Sequence, residues 1–164
     1  MNIILLGAPG AGKGTQGELI SKKLGIPTIS TGNMLREAMA NGSELGKQVK
    51  KYMDEGSLVP DEVIMSIIAQ RVAQPDCKAG FILDGVPRTL PQAEAIDAKG
   101  VPIDYVVSLE VGDAQIASRM SGRRVCTKCG ASYHIANNPP RTEGICDLCG
   151  GQVSIRKDEQ LKNR

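Results

Sequence analysis

The amino-acid sequence predicts an α/β fold, in which a parallel sheet carries helices on both faces and a small metal-binding insert follows. Three observations predict this architecture. Short apolar runs alternate with longer helical patterns through about residue 120, a glycine-rich segment follows the first run, and two CxxC pairs lie in an aperiodic stretch at 123–153. The length of 164 residues suits one domain with such an insert.

The first half of the chain alternates strand and helix, and each element has its own local signal. Residues 3–6 are continuously apolar, as expected of a strand that is buried on both faces of a sheet. A helical pattern follows at 13–24, and Gly25 suits the left-handed position just beyond its end. The other elements predicted here are a short strand at 28–30 and helices at 33–40 and 43–54.

The second half continues the alternation. Pro60 and Asp61 open a helix whose apolar residues recur at i, i+1, i+4 and i+5, which gives the helix one apolar face. Pro91 fits the first turn of a further helix that runs to Lys99, and Asp113 is the expected N-cap of a last one. Two more strands are predicted, at 81–83 and 105–109.

The composition excludes several classes of protein. The formal net charge of +2 is too balanced to predict a nucleic-acid or membrane partner, and the scarcity of aromatic residues argues against stacking on single-stranded nucleic acid. No apolar run approaches the roughly 20 residues of a membrane span, and the N-terminus lacks the basic segment of a signal peptide. We therefore expect a cytoplasmic protein whose five Cys are reduced.

The glycine-rich segment has the context of a phosphate-binding loop, because it follows a strand and opens a helix. Its glycines let backbone N–H groups approach an anion, the helix N-terminus adds a positive dipole end, and Lys13 adds a point charge. Gly14 stands where the strict pattern has Ser or Thr, and Thr15 comes one residue later. The alternative is an ordinary glycine-rich turn.

Four of the Cys form two CxxC pairs separated by 16 residues, Cys126 with Cys129 and Cys146 with Cys149. This pattern predicts a tetrahedral four-thiolate site with no open position, and a structural Zn²⁺ is its expected occupant. Iron also fits four thiolates, and disulfides or free thiols are further alternatives. Because four Cys complete the coordination, His134 is not expected to be a ligand.

Five segments, in chain order, resemble the adenylate kinase family. They are GAPGAGKGT at 7–15, STGNMLR at 30–36, LVPDE at 58–62, LDGVPRT at 83–89 and GRR at 122–124. The CxxC pairs resemble the zinc-bearing lid of the long bacterial form of that family. The resemblance implies a P-loop NTPase-like core at 1–121 and 157–164, with an AMP-binding helical insert at about 30–59, and a zinc-binding lid at 122–156.

The same resemblance implies Mg²⁺-dependent transfer of the γ-phosphoryl group of ATP to AMP, which gives two ADP, with closure of the lid. Such a reaction needs the reacting phosphates to be positioned and their charge to be stabilised. Arg suits this task because its guanidinium can hydrogen-bond two phosphate oxygens at once. The residues implied in catalysis are Lys13, Asp84, Arg88, Arg123, Arg156 and Arg164. Those implied at the ATP site are Gly10, Ala11, Gly12, Lys13, Gly14, Thr15, Arg119, Arg123, Ser132 and Tyr133. Those implied at the AMP site are Thr31, Arg36, Ser57, Leu58, Val59, Gly85, Arg88, Gln92, Arg156 and Arg164.

The sequence departs from the family pattern most at its end, where the family continues with a further strand and helices. We expect an uncovered sheet edge there, so that self-association becomes an alternative to the monomer typical of the family. Smaller departures are Asn33 and Glu159, where the family usually has Asp, and Val86, where it usually has Phe. Three other functions stay open: transfer to UMP or CMP, nucleotide binding without turnover, and nucleic-acid binding by the zinc ribbon.

Overall fold

The structure is a computed structural model that describes residues 1–40, 42, 44–54 and 59–155. The strands of its first sheet are β1 (Asn2–Gly7), β2 (Thr28–Ser30), β3 (Phe81–Asp84) and β4 (Tyr105–Leu109). The helices are α1 (Lys13–Leu24), α2 (Thr31–Ala40), α3 (Glu44–Asp54), α4 (Asp61–Val72), α5 (Leu90–Ala98) and α6 (Asp113–Ser121). None of the helices in these described ranges is long and apolar enough to cross a membrane.

The first sheet is parallel throughout, with the strand order β2-β3-β1-β4. Its register places Leu5 of β1 opposite Asp84 of β3, and Gly7 opposite Leu109 of β4. The carboxyl ends of β1 and β3 therefore lie side by side, and the glycine-rich loop and the turn after Asp84 leave the sheet from there. In open parallel sheets this end is where ligands bind.

Both faces of the first sheet carry an apolar core, because the side chains of β1 alternate between them. Ile4 packs in a buried cluster with Ile68 of α4 and Ile96 of α5. Ile3 lies in a second buried cluster, against which Ile20 of α1 packs. This arrangement confirms the α/β class and the prediction of a first strand buried on both faces.

Strand β4 differs from the other three strands in its exposure. Among the strands of the described residues it pairs with β1 alone, at the end of the sheet order. Its side chains Tyr105, Val106 and Val107 are 57%, 59% and 44% exposed. Self-association through this edge stays a prediction.

The described residues form two compact units. The first consists of Met1–Gly7 and Lys13–Leu109, and it holds the parallel sheet. The second consists of Ala8–Gly12 with the described residues from Glu110 onward. It contains an antiparallel sheet of order β6-β5-β7, formed by β5 (Arg123–Cys126), β6 (Ser132–His134) and β7 (Val153–Ser154). These strands have two to four residues, which is too short for a periodic sequence pattern. The domain division predicted at 121/122 stays a prediction.

Most predicted element boundaries are correct to within two residues. Helix α1 spans the predicted 13–24, and Gly25 takes the left-handed conformation, with φ 66°, expected just beyond its end. The predicted N-cap of α6 is wrong, because Gly112 occupies that position and Asp113 is the first helical residue. An acidic side chain in the first turn still interacts favourably with the positive end of the helix dipole.

Candidate functional site

The first part of the glycine-rich loop, Ala8–Gly12, is held against α6. Gly10 and Gly12 have φ values of 87° and 103°, which side-chain-bearing residues rarely adopt. A Cβ atom on Gly10 would lie 2.9 Å from Cγ of Met120, so only glycine permits this close approach. Arg119 donates from Nη1 to the carbonyl oxygen of Ala11 at 3.1 Å. The structure therefore places the predicted Arg119 beside the loop.

The second part of the loop opens α1. Lys13 is the first residue of that helix, and its Nζ donates to the carbonyl oxygen of Gly7 at 2.8 Å. The first turn of α1 contains no acidic residue of its own. Asp84 Oδ2 lies 4.0 Å from the position that a Cβ atom on Gly14 would take. Lys13, Gly14 and Asp84, all predicted site residues, thus lie together, whereas Thr15 is exposed on α1.

The turn after β3 brings together three residues that were predicted at the AMP site. Gly85 has a φ of 90°, and a Cβ atom there would lie 3.0 Å from Thr31 Oγ1 and 3.3 Å from Arg88 Nη2. Arg88 donates from Nε to the carbonyl oxygen of Gly85 at 2.8 Å. Thr31 is 6% exposed, and its hydroxyl donates to the carbonyl oxygen of Asp84 at 3.5 Å. Both the backbone conformation and the close contacts require glycine at position 85.

A buried polar network extends this turn to α4 and α5. Gln92 is 4% exposed; its Oε1 accepts the backbone N–H of Arg88 at 2.7 Å, and its Nε2 donates to Asp61 Oδ1 at 2.6 Å. Thr89 donates from its hydroxyl to Asp61 Oδ2 at 3.4 Å. This role of Asp61 is not visible in the sequence, because an acidic residue at a helix start is already explained by the helix dipole.

A second cation lies in α2. Arg36 donates from Nη2 to Oδ1 of Asn33, three residues earlier, and its guanidinium covers Gly32, where a Cβ atom would lie 3.3 Å from Nη1. Asn33, which replaces the usual Asp, therefore orients Arg36. Val59 is half-buried. Four predicted site residues lie outside the described residues: Ser57, Leu58, Arg156 and Arg164.

The four Cys of the second unit form one compact cluster. Their sulfur atoms all lie within 4.8 Å of one another, and two pairs, Cys126 with Cys149 and Cys129 with Cys146, are 3.5 Å apart. A tetrahedral zinc with Zn–S bonds of ~2.3 Å has sulfur–sulfur separations of about 3.8 Å. The cluster therefore fits a four-thiolate metal. It contains the four Cys and not His134.

Tyr133 contacts the second CxxC pair. Its hydroxyl oxygen accepts the backbone N–H of Asp147 at 2.8 Å and lies 3.3 Å from Cys146 Sγ. Since the Asp147 N–H occupies a lone pair of the hydroxyl, the phenolic proton is available to the sulfur. This hydrogen bond lowers the pKa of the Cys146 thiol to about 6 and raises the pKa of Tyr133 to about 12. Tyr133 is 7% exposed. The placement of Tyr133 at the ATP site stays a prediction, and so does that of Arg123 and of the exposed Ser132.

His134 has a structural role that the sequence did not reveal. Its Nδ1 accepts the backbone N–H groups of Ala136 and Asn137, each at 3.1 Å. The opposite edge of the imidazole packs on Gly122, where a Cβ atom would lie 2.3 Å from Nε2. Gly122 thus allows the strand end at His134 to approach the end of α6.

Comparison with known proteins identifies the family. A sequence profile described as Adenylate kinase matches residues 5–164. The chain belongs to the adenylate kinase family. The resemblance inferred from the motifs is therefore confirmed, and the chain is an enzyme of the nucleoside monophosphate kinase class.

Several curated relatives are named Adenylate kinase. The one from Caldicellulosiruptor saccharolyticus is 56% identical over 164 residues, which cover 98% of this chain and 76% of that protein. The one from Carboxydothermus hydrogenoformans is 50% identical over 166 residues, covering 99% and 78%. The one from Archaeoglobus fulgidus is 53% identical over 164 residues, covering 98% and 76%. The similarity to adenylate kinases thus extends through both compact units.

Proposed function

We propose that this chain transfers the γ-phosphoryl group of ATP to AMP to form two ADP, in a reaction that depends on Mg²⁺ and on closure of the lid. Phosphoryl transfer between ATP and AMP is what membership of the adenylate kinase family supports. The roles of individual residues, the dependence on Mg²⁺ and the lid movement are the proposed part.

One observation supports this function most directly. Asp84 and Gly85 are consecutive residues, and each borders a different predicted nucleotide-binding site. Asp84 lies beside Gly14 at the positive end of α1, while Gly85 lies against Thr31 and Arg88. A donor phosphate on the α1 N-terminus and an acceptor phosphate on Arg88 would then be separated by one peptide unit. Proximity of this kind is the main requirement of phosphoryl transfer.

The proposed chemistry needs no base from the protein. The phosphate of AMP carries a second pKa near ~6, so its oxygen is largely anionic at neutral pH. This oxygen forms a bond to the γ-phosphorus of ATP, the bond from that phosphorus to the β-bridging oxygen breaks, and the electron pair stays on the departing ADP. Lys13 and Arg88 supply positive charge to the donor and acceptor phosphates. Mg²⁺ bound with ATP would offset negative charge on the phosphate groups, and Asp84 is the residue that would hold it.

The second unit contributes a metal-stabilised lid in this proposal. Cys126, Cys129, Cys146 and Cys149 would hold a Zn²⁺ ion, which replaces the apolar core that so small a sheet cannot build. With four thiolate ligands the metal has no open position, so its role is structural. We further propose that the enzyme is cytoplasmic.

The first experiment measures ADP formed from ATP with AMP, UMP or CMP as the acceptor, with and without Mg²⁺. We expect ADP with AMP only, and only with Mg²⁺. Arg88→Ala should lower kcat/KM for AMP by about 10²- to 10³-fold, because it removes a charged partner of the transferring group. Lys99→Ala is the matched control, since Lys99 is an exposed cation just beyond α5 in the same unit.

The outcomes separate the alternatives. Transfer to UMP or CMP in preference to AMP would overturn the proposed acceptor. Nucleotide binding without any transfer would overturn the proposed turnover. An equal loss in Arg88→Ala and Lys99→Ala would show that general charge, rather than the turn after β3, governs the reaction.

A further inference from the structure

The polar network on Gln92 fixes the orientation of its side-chain amide. Asp61 is a carboxylate and can only accept, so the amide group 2.6 Å from its Oδ1 must be the –NH₂ group. The backbone N–H of Arg88 can only donate, so the amide atom 2.7 Å from it must be the oxygen. A 180° flip of the amide would set oxygen against carboxylate and nitrogen against N–H. Both hydrogen bonds would be lost, in a side chain that is 4% exposed.

The carboxylate of Asp61 is itself held in place by contacts at the starts of α4 and α5. Its second carboxylate oxygen accepts the Thr89 hydroxyl at 3.4 Å, and Thr89 in turn accepts the backbone N–H of Gln92 as the cap of α5. Asp61 is the first residue of α4, where the helix dipole also favours its charge. The carboxylate therefore ties the start of α4 to the start of α5, with the Gln92 amide between them.

An amide of fixed orientation can distinguish two classes of purine. After these contacts Gln92 retains one N–H and one oxygen lone pair, in a fixed spatial order. A 6-aminopurine presents an acceptor at N1 and a donor at the 6-amino group, whereas a 6-oxopurine presents a donor at N1 and an acceptor at position 6. An amide that is free to flip pairs with either class, and an amide that is locked pairs with one.

We propose that Asp61 is a specificity-determining positioning residue, which locks the Gln92 amide so that the acceptor site takes a 6-aminopurine nucleoside monophosphate and rejects the 6-oxopurine. The inference rests on the proposed function, because it places the acceptor nucleotide at the turn that contains Arg88 and Gln92. It extends that function by naming a residue that acts through another one.

The test compares Asp61→Asn with the parent chain, with AMP and IMP as acceptors. The Asn amide has nearly the same shape but both donates and accepts, so a flipped Gln92 then loses only the hydrogen bond to the backbone N–H of Arg88 instead of both hydrogen bonds. We expect KM for AMP to rise about 2- to 12-fold with little change in kcat, as one weakened hydrogen bond implies. The ratio of kcat/KM for AMP to that for IMP should fall by about 2- to 12-fold, because one of the two hydrogen bonds that oppose the flip no longer does so.

Glu62→Gln is the matched control, because it removes an exposed carboxylate from the same first turn of α4. It should leave the AMP/IMP ratio unchanged. An unchanged ratio in Asp61→Asn, or an equal change in Glu62→Gln, would overturn the inference while leaving the proposed function intact. Failure of the parent chain to phosphorylate AMP would overturn both.

A second measurement uses the parent chain alone, so it does not depend on how well the variant folds. The Nε2 proton of Gln92 that Asp61 accepts should exchange with water much more slowly than the side-chain amide protons of an exposed Gln. Exchange as fast as that of an exposed Gln would contradict the fixed orientation of the amide.

Discussion

The contact between Gly122 and His134 allows a stability change to be worked out from the structure. Gly122 has φ −90° and ψ −4°, which alanine adopts without strain, so the backbone itself tolerates Gly122→Ala. The added Cβ atom, however, would lie 2.3 Å from Nε2 and 2.5 Å from Cε1 of His134. The whole cost of the substitution is therefore steric.

The imidazole cannot move away without losing its own contacts. Ordinary van der Waals separation is ~3.5 Å, so the ring must shift by roughly 1.2 Å. Its Nδ1 accepts from the backbone N–H groups of Ala136 and Asn137, and such a shift breaks both hydrogen bonds. At about 0.5–1.5 kcal/mol each, the loss is roughly 1–3 kcal/mol, which agrees with the usual cost of overpacking.

Hydrogen exchange measures this change where it occurs. We expect Gly122→Ala to lower the protection of the Ala136 and Asn137 amides by about 5- to 150-fold, as roughly 1–3 kcal/mol implies. The amides of the parallel sheet, which belong to the other unit, should keep their protection. Equal protection of Ala136 and Asn137 in the variant and the parent would refute the steric argument.

A double-mutant cycle supplies the control. His134→Ala removes the ring that the new Cβ atom would contact, so Gly122→Ala should have little effect on stability when it is made in that background. The interaction free energy of the cycle should then equal most of the roughly 1–3 kcal/mol cost. Additive effects of the two substitutions would show that Gly122 is required for some reason other than the contact with His134.

Three further predictions concern other parts of the chain. Tyr133→Phe removes a hydrogen bond to Cys146 and should speed the release of bound Zn²⁺ to a chelator by about 2- to 12-fold, and an unchanged release rate would contradict this role. Gly85→Ala forces a side chain into a left-handed backbone and should lower the free energy of unfolding by about 1–2 kcal/mol in urea titrations, with a higher KM for AMP; a variant as stable as the parent would count against it. The hydrogen bonds from Arg71 lower the pKa of the Asp76 carboxyl, so the stability that Asp76 contributes is present above its ordinary pKa and is lost as the pH falls. Asp76→Asn should therefore reduce the urea midpoint at pH ~7 and reduce it less at pH ~2, and a pH-independent reduction would rule out this linkage.

The elements of the parallel sheet could be predicted from the sequence because their signals are local. The apolar run of β1 and the glycine beyond α1 each report a backbone preference within a few residues. The short strands β5, β6 and β7 could not be predicted in this way, because strands of two to four residues pair through the folding of the metal-binding segment rather than through their own pattern. The cap of α6 was misassigned for a related reason, since Asp113 suits either the cap or the first turn.

The sequence by itself determined the glycine-rich loop, the CxxC pairs and the family, since each depends on residue types at fixed short spacings. Only the tertiary structure decided which side chains meet. Asp61 accepts a hydrogen bond from Gln92, which lies 31 positions away in the sequence, and Tyr133 contacts Cys146, which lies 13 positions away. A hydrogen bond between such residues depends on how separate elements pack, and the residue types alone allow many other partners. Asp61 therefore looked like an ordinary helix start until its partner was known, and the contact between Tyr133 and Cys146 became visible only in the structure.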